Sequence, residues 1–342
     1  MAKKRVTQAD VAQAAGVSQT AVSQILGESE NGVSNFRPET RLRVLQAAEA
    51  LGYSPSIMAR ALRTNRTMTI GVVISFITDE LSVRIARGIL DVTNERGYGI
   101  LMGSSEQNPQ SEARVLDQLR QYQVDGLIFV DSWTDPDSFL DDPSFPPMVF
   151  AQLRKLEVSR NCVSADDVRG GYEVTRHLLD LGRRKVAYIS GPEHWSSAVG
   201  RLKGHQQALQ EYGIPWDPSL VEIGDWEVCS GIETTKKLLD RHPDIDAIFA
   251  ANDLMAAGCI QVATERGLRI PQDLALVGYD DRQLAQALCP PLTSFAHPLH
   301  MIGQKAAHLL IDRLLKHNVH HAPSIRIPGR LVIRDSCGAK SR

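Results

Sequence analysis

The segment Thr7-Gln8-Ala9-Asp10-Val11-Ala12-Gln13-Ala14-Ala15-Gly16-Val17-Ser18-Gln19-Thr20-Ala21-Val22-Ser23-Gln24-Ile25-Leu26-Gly27 leaves the start of this chain few ways to fold. Thr7 with Asp10 three residues on is a cap pairing for a first helix. Gly16 supplies a permissive turn backbone, Ser18 caps a second helix and Gly27 can end it. Val11, Ala12, Val17, Val22, Ile25 and Leu26 are spaced so that the two helices bury a common seam, which leaves Gln19, Thr20, Ser23 and Gln24 on the outer face of the second. In a helix-turn-helix, side chains near the start of that helix enter the major groove, where Gln and Thr can hydrogen-bond base edges. The same spacing would also serve a small helical hairpin without that role.

Charge is distributed in keeping with the first reading. The net charge of the 342 residues is −2, but residues 1–66 hold nine Lys/Arg against five Asp/Glu, leaving 29 against 35 in the rest. Positive charge therefore collects beside the two helices, where phosphate contacts need it. The five cysteines, Cys162, Cys229, Cys259, Cys289 and Cys337, form no C-x-x-C pair, and their odd number points to a reducing compartment. No apolar run follows the basic start and none approaches a membrane span of about 18 residues, so a cytoplasmic protein away from the membrane is expected.

A third helix is expected from Pro38 to Leu51, closed by Gly52, with Leu42, Leu45 and Ala48 as its apolar stripe and Arg41 and Arg43 outside it. With the first two helices it would complete a DNA-binding domain, expected over residues 1–55. Residues 56–66 follow as hinge and linker, with a short helix capped by Ser56 that would be marginal alone. From residue 67 apolar strands alternate with amphipathic helices in two series, the second starting near Asp166. The expected fold class is α/β: an all-α helix-turn-helix headpiece plus two doubly wound parallel-sheet lobes over 67–342. Lobe 1 is expected at about 67–163 plus 295–322, and lobe 2 at about 164–292 plus 323–342. No dinucleotide-binding G-x-G-x-x-G, Walker A loop or G-x-S-x-G accompanies the strands.

Over residues 6–334 the chain resembles the lactose-repressor (LacI/GalR) family of bacterial transcription regulators. The resemblance rests on Asp10-Val11-Ala12, Ala15-Gly16-Val17-Ser18, Val22-Ser23, Pro38-Glu39-Thr40-Arg41, Leu51-Gly52-Tyr53, Pro55, Ala59-Arg60-Ala61-Leu62-Arg63 and Thr69-Ile70-Gly71. In the body it rests on Asn252-Asp253, Val277-Gly278-Tyr279-Asp280-Asp281 and Pro290-Pro291-Leu292-Thr293. It implies a homodimer on a pseudo-palindromic double-stranded DNA operator, with a two-lobed domain like that of periplasmic sugar-binding proteins and a small effector between the lobes. By position Gln19, Thr20 and Gln24 match base-reading side chains, and Ser18 and Thr40 match phosphate-side contacts. Leu62 matches a leucine wedged into a minor-groove step, and Thr7, Ser23, Tyr53, Ser56 and Ala59 complete the expected DNA-facing set. The chain departs from the family in three places. Gln24 stands where an arginine is common, residues 28–37 form a longer loop than in the lactose repressor, and no leucine-heptad tail follows.

Open α/β folds bind ligands beyond the C-terminal ends of their strands. Arg201, Asn252 and Asp280 fall there and match the family's effector contacts. Trp226 can face a sugar ring, and Ser75, Asp79 and Leu299 match first-lobe effector positions. An Arg fork with Asp and Asn suits a polyhydroxylated ligand, so a saccharide is expected, with a purine or nucleoside as the alternative. An Arg–Asp pair in a cleft can instead be only a structural ion pair, and Asp79 could equally be an exposed loop residue. His317, His320 and His321 lack carboxylate or cysteine partners at ligand spacing, so no metal or cofactor is expected. A transport-type sugar receptor would not need residues 1–63. An enzyme using Asp280 with His297 would lack a nucleophile or cofactor loop, so a DNA-binding repressor, not an enzyme, is expected.

Overall fold

The computed structural model describes residues 6–26, 36–53, 61, 64, 66–132, 142, 144–153, 160–316 and 322–339. They form two units, residues 1–68 and 69–342. In the first, helices α1 (Gln8–Ala15), α2 (Gln19–Ile25) and α3 (Pro38–Leu51) surround a small apolar core. The α1 start is a complete capping box: Thr7 N donates to Asp10 Oδ2 at 2.8 Å and Asp10 N to Thr7 Oγ1 at 3.4 Å. Gly16 ends α1 at φ +66°, a left-handed conformation that would strain other residues, and Ser18 Oγ accepts from Ala21 N at 3.2 Å. Val11, Val22, Ile25 and Val44 are the buried centre. Full burial of a side chain of this size is worth roughly 1.5–3 kcal/mol.

Two expectations change here. Leu42 and Leu45 are 56% and 44% exposed, and α3 packs through Val44 in their place, together with the expected Ala48. Apolar residues occupy more than one face of α3, and the face that meets α1 and α2 is the one with the smaller side chains. Helix α2 ends at Ile25 with Leu26 as its cap, before Gly27. Gly27 and most of the 28–37 loop lie outside the described residues, as do Ser56, Ala59, Leu62 and His317, His320 and His321.

The second unit contains two six-stranded sheets. The first lobe runs β1 (Thr69–Ile74), α4 (Glu80–Glu95), β2 (Gly99–Ser104), α5 (Pro109–Gln121), β3 (Gly126–Ser132), β4 (Met148–Leu153) and β5 (Cys162–Ala165). The second runs α6 (Asp167–Asp180), β6 (Val186–Ser190), α7 (Ser196–Glu211), β7 (Val221–Ile223), α8 (Val228–Arg241), β8 (Ala247–Ala250), α9 (Asp253–Glu265), β9 (Ala275–Asp280), α10 (Gln283–Ala287) and β10 (Thr293–Ala296). The chain then returns as α11 (Leu299–Lys316) and β11 (Ile325–Ile327) to the first lobe, and β12 (Arg330–Val332) to the second.

Sheet order is β11-β5-β4-β3-β1-β2 in one lobe and β12-β10-β9-β8-β6-β7 in the other, parallel except where β12 runs against β10. Central strands are apolar except toward their C-terminal ends, as parallel strands covered on both faces must be. Phe129 stacks on Phe150 at 5.0 Å in the first core, and Tyr279 on Phe295 at 4.9 Å in the second. The lobe boundaries shift slightly from those expected. β10 lies wholly in the second lobe, and Ile325–Ile327 pairs with β5 in the first, because these short strands are held by ladder partners distant in sequence.

Candidate functional site

In the headpiece, Ser18, Gln19, Thr20 and Gln24 are exposed along α2 and Ser23 is half-buried, so the expected reading face is open. Thr7 is committed to its cap, Thr40 is half-buried on α3, and Tyr53 packs against the headpiece core. The short polar side chains of α2 are on the outside because Val22 and Ile25 take the inward positions of the same turns.

In the second unit, polar side chains converge from both lobes on a cavity of about 440 Å³. Its centre is Arg201, buried on α7. Arg201 Nε donates to Asp167 Oδ1 at 2.9 Å, Nη2 lies 3.6 Å from Asp280 Oδ1, and Nη1 donates to the Ala251 carbonyl. The guanidinium also lies 3.7 Å from the Tyr279 ring centroid, a cation–π contact. Burial opposes the charge of Arg201, yet Asp167, Tyr279 and Asp280 hold it more firmly protonated than usual. Burial likewise opposes ionisation of Asp167, but Arg201 and then His297 hold that carboxyl below the ordinary carboxylate range. These carboxylates stand where strands end: Asp167 opens α6 just after β5, and Asp280 is the last residue of β9.

The lobes are tied together at this point. Asp79, the cap of α4, meets Arg282 of the second lobe at 3.3 Å, and Arg282 lies 3.5 Å from Asp280. Arg84 Nη1 donates to the Asp280 and Asp281 carbonyls at 3.3 Å, and Ser196 Oγ donates to the Leu153 carbonyl at 2.8 Å. Asp253, at the start of α9, supports the 280–282 backbone by accepting from Arg282 N at 2.7 Å, and it holds Ser294 Oγ at 2.6 Å. Burial, aided by Asp280, pushes the Asp253 carboxyl up to about 8.

Trp226 lines the same cavity from a backbone at φ +77°, an uncommon conformation for a bulky residue. Asn252 fixes it: its Nδ2 donates to the Trp226 carbonyl and its Oδ1 accepts from Met255 N, both at 2.8 Å. Gly191 lies directly under the indole, where a Cβ would come within 2.0 Å of Cζ2. Around the cavity, Trp226 Nε1, Asp280 Oδ1, Arg282 Nε and both ring nitrogens of His297 are buried without a hydrogen-bond partner in the protein. Unsatisfied groups of this kind are costly unless something completes them, so their convergence marks a ligand site.

Of the residues expected to hold an effector, Asp79, Arg201, Trp226, Asn252, Asp280 and Leu299 line the cavity. Ser75 does not. It is buried at the end of β1 and its hydroxyl donates to the carbonyl of Asp131, steadying a residue that does line the cavity. Asn252 acts chiefly by holding Trp226. Asp167 and Arg282 were not expected. Their signal in the sequence is faint: a second aspartate at a helix start, and a cation two residues after Asp280. Among the described residues, no group of His, Cys, Asp and Glu is arranged to hold a metal ion, and no helix is long and apolar enough to cross a membrane.

Residues 7–56 match the family described as "Bacterial regulatory proteins, lacI family", and residues 175–337 match a periplasmic binding protein-like domain. Catabolite control protein A of Priestia megaterium is 34% identical over 97% of this chain and 99% of its own length. The chain is a member of the LacI family. Among solved structures, the Lac repressor dimer bound to operator and the anti-inducer ONPF is similar, with a TM-score of 0.84 at 27% identity over 98% of this chain and all of that one. A CelR–cellobiose complex aligns with a TM-score of 0.70 at 31% identity, over 97% of this chain and all of that one. As a LacI-family protein the chain is a DNA-binding transcriptional regulator and not an enzyme.

Proposed function

We propose that this regulator is a cytoplasmic homodimeric repressor that reads a pseudo-palindromic operator through Gln19, Thr20 and Gln24, and that a saccharide bound between its lobes controls the binding. The observation that carries the effector reading is the convergence on one cavity of buried polar atoms that lack a hydrogen-bond partner, foremost Trp226 Nε1 and the His297 ring, beside the ion-paired Asp280 and Arg282. Sugar hydroxyls both donate and accept, and an indole presents an apolar face to a pyranose ring. The cellobiose named in the CelR–cellobiose complex supports the same class of ligand. Coupling to DNA then requires only that the ligand bind one arrangement of the lobes better than another.

The test is a footprint of the full chain on DNA, repeated with a panel of sugars, purines and nucleosides. A sugar should shift operator affinity by about 5–150-fold, the range of typical allosteric coupling. A response to a nucleoside and to no sugar would replace the saccharide reading. Thr20→Ala or Gln24→Ala should lose about 1–3 kcal/mol of discrimination at particular base pairs. Equal loss on operator and random DNA would reject base reading by these side chains.

A further inference from the structure

The cavity between the lobes carries an uneven charge. Asp79, Asp131, Asp225, Glu227 and Asp280 line it, against the guanidinium groups of Arg201 and Arg282. Both cations are already engaged, Arg201 by Asp167 at 2.9 Å and Asp280 at 3.6 Å, and Arg282 by Asp79 at 3.3 Å and Asp280 at 3.5 Å. The buried polar atoms on the cavity without a hydrogen-bond partner are Trp226 Nε1 and the His297 ring nitrogens, together with Asp280 Oδ1 and Arg282 Nε, which are held only as ion pairs, to Arg201 Nη2 at 3.6 Å and Asp280 Oδ2 at 3.5 Å. Asp280 is 2% and His297 4% exposed, so these groups belong to a built interior and not to a solvated rim. A phosphate or carboxylate brings acceptors and negative charge. Beside the buried Asp280 and the half-buried Asp79 and Asp131, that charge is repelled more strongly than in water, while Asp225 and Glu227 stand at the exposed rim.

We propose that the cleft is charge-selective: its effector is an uncharged polyhydroxylated molecule, and anionic sugars are rejected because Asp79 and Asp280 keep Arg282 occupied. This rests on the cleft being the effector site and adds the charge of the ligand. Asp79 sets the selectivity. Its Oδ2 caps α4 by accepting from Ser82 N at 3.2 Å, while its Oδ1 faces Arg282. Asparagine at this position keeps a capping oxygen, removes the charge and releases Arg282 toward the cavity.

The full-length protein and Asp79→Asn are titrated by calorimetry with inorganic phosphate, with glucose and cellobiose, and with glucose 6-phosphate and glucuronate. Wild type should show no phosphate binding at millimolar concentration and should favour each uncharged sugar over its anionic counterpart. Asp79→Asn should gain about tenfold or more in affinity for phosphate and for glucose 6-phosphate, since like-charge contacts in closed sites cost at least that much. Asp79→Ser, which also caps a helix, repeats the measurement should the asparagine variant fold poorly, and far-UV circular dichroism checks that both variants are folded. Gain of phosphate binding supports charge selection whether or not the natural sugar is in the panel. No gain in either folded variant, or an anion binding wild type as tightly as its uncharged counterpart, overturns it. If phosphate binding is gained but no sugar alters operator binding, the saccharide-effector reading fails alone.

Discussion

Asp79 and Arg282 belong to different lobes, and their side chains meet across the cleft at 3.3 Å. The pair is mostly screened from solvent, with side-chain exposures of 25% and 14%, and Arg282 also reaches Asp280 at 3.5 Å. Arg282→Ala therefore leaves two carboxylates facing the cleft without their shared cation. Loss of a partner from a fully buried pair costs about 3–5 kcal/mol, and partial solvent access should lower that to about 1–3 kcal/mol here. The variant should unfold at lower urea concentration and, with one tie between its lobes gone, show a larger radius of gyration by X-ray scattering. An unchanged radius would mean that the remaining ties, Arg84 to the 280–281 carbonyls and Ser196 to Leu153, suffice to hold the lobes closed.

Arg201 is both a cleft residue and a structural one. Its guanidinium serves Asp167, Asp280, the Ala251 carbonyl and the Tyr279 ring at once. Arg201→Ala should cost about 3–5 kcal/mol, because two buried carboxylates lose their counterion. Arg201→Lys keeps the charge but not the planar fork, so it should recover part of that stability without recovering the response of operator binding to effector. Urea denaturation and an operator-release assay separate the two effects. Equal stability of Arg201→Ala and wild type would show that the buried carboxylates find other partners.

Legibility in the sequence follows the range of the interactions. The cap of α1, the turn at Gly16 and the start of α2 were readable because Thr7, Asp10, Gly16 and Ser18 act on backbone within four residues of themselves. Helix α8 falls at its expected bounds because it carries a strong period of its own, and strand β8 because its apolar run is set off by Asp246 and Asn252. The inward face of α3 was misread, since Leu42, Val44, Leu45 and Ala48 offer two apolar stripes and only contact with α1 and α2 selects one. The strands Cys162–Ala165, Ile325–Ile327 and Arg330–Val332 are too short to carry a pattern and exist through distant ladder partners. In the cleft, Arg201, Asn252 and Asp280 were recognisable by resemblance and Trp226 by its ring. Asp167 and Arg282 were not, because their meaning lies in which charges the fold sets opposite them, and Ser75 turns away toward a carbonyl that sequence alone does not locate.

Asp253 gives the second lobe a pH dependence of definite sign. Its carboxyl, pushed up by burial and by Asp280, titrates near 8 in the fold against an ordinary value of 3.8. The native state keeps a proton that the unfolded chain releases, so this contribution to stability is complete below 3.8 and is lost as pH rises toward 8. His205 acts in the opposite sense: burial pushes it down to about 3 from 6.5, and stability is lost as pH falls through that window. Between 6.5 and 8 the Asp253 slope is therefore unopposed by His205. Stability should fall there by up to about 1.4 kcal/mol per pH unit. Asp253→Asn can still accept from Arg282 N and donate to Ser294, so it should flatten this slope, whereas Asp253→Ala should destabilise at every pH by about 1–3 kcal/mol. Urea titrations across the window decide it, and a variant asparagine with the wild-type slope would assign the dependence to another group.

Gly191 offers the most selective way to disturb the cleft. It follows β6 at the foot of the site, and a Cβ built there would lie 2.0 Å from Cζ2 and 2.2 Å from Cη2 of Trp226. The indole is a rigid ring on a backbone already at φ +77° and held by the Asn252 amide, so it cannot yield by a small torsion. Gly191→Ala should therefore displace the Trp226 ring, move its Nε1 away from the cavity, and leave the Arg201–Asp167 pair behind it intact. Effector affinity should drop by about tenfold or more, the equivalent of one misplaced hydrogen bond in a buried site. Operator binding without effector should be retained, and tryptophan emission should shift to longer wavelength as the ring gains solvent. A variant that binds effector normally with unchanged emission would place Trp226 among the packing residues of the lobe and outside the ligand contacts.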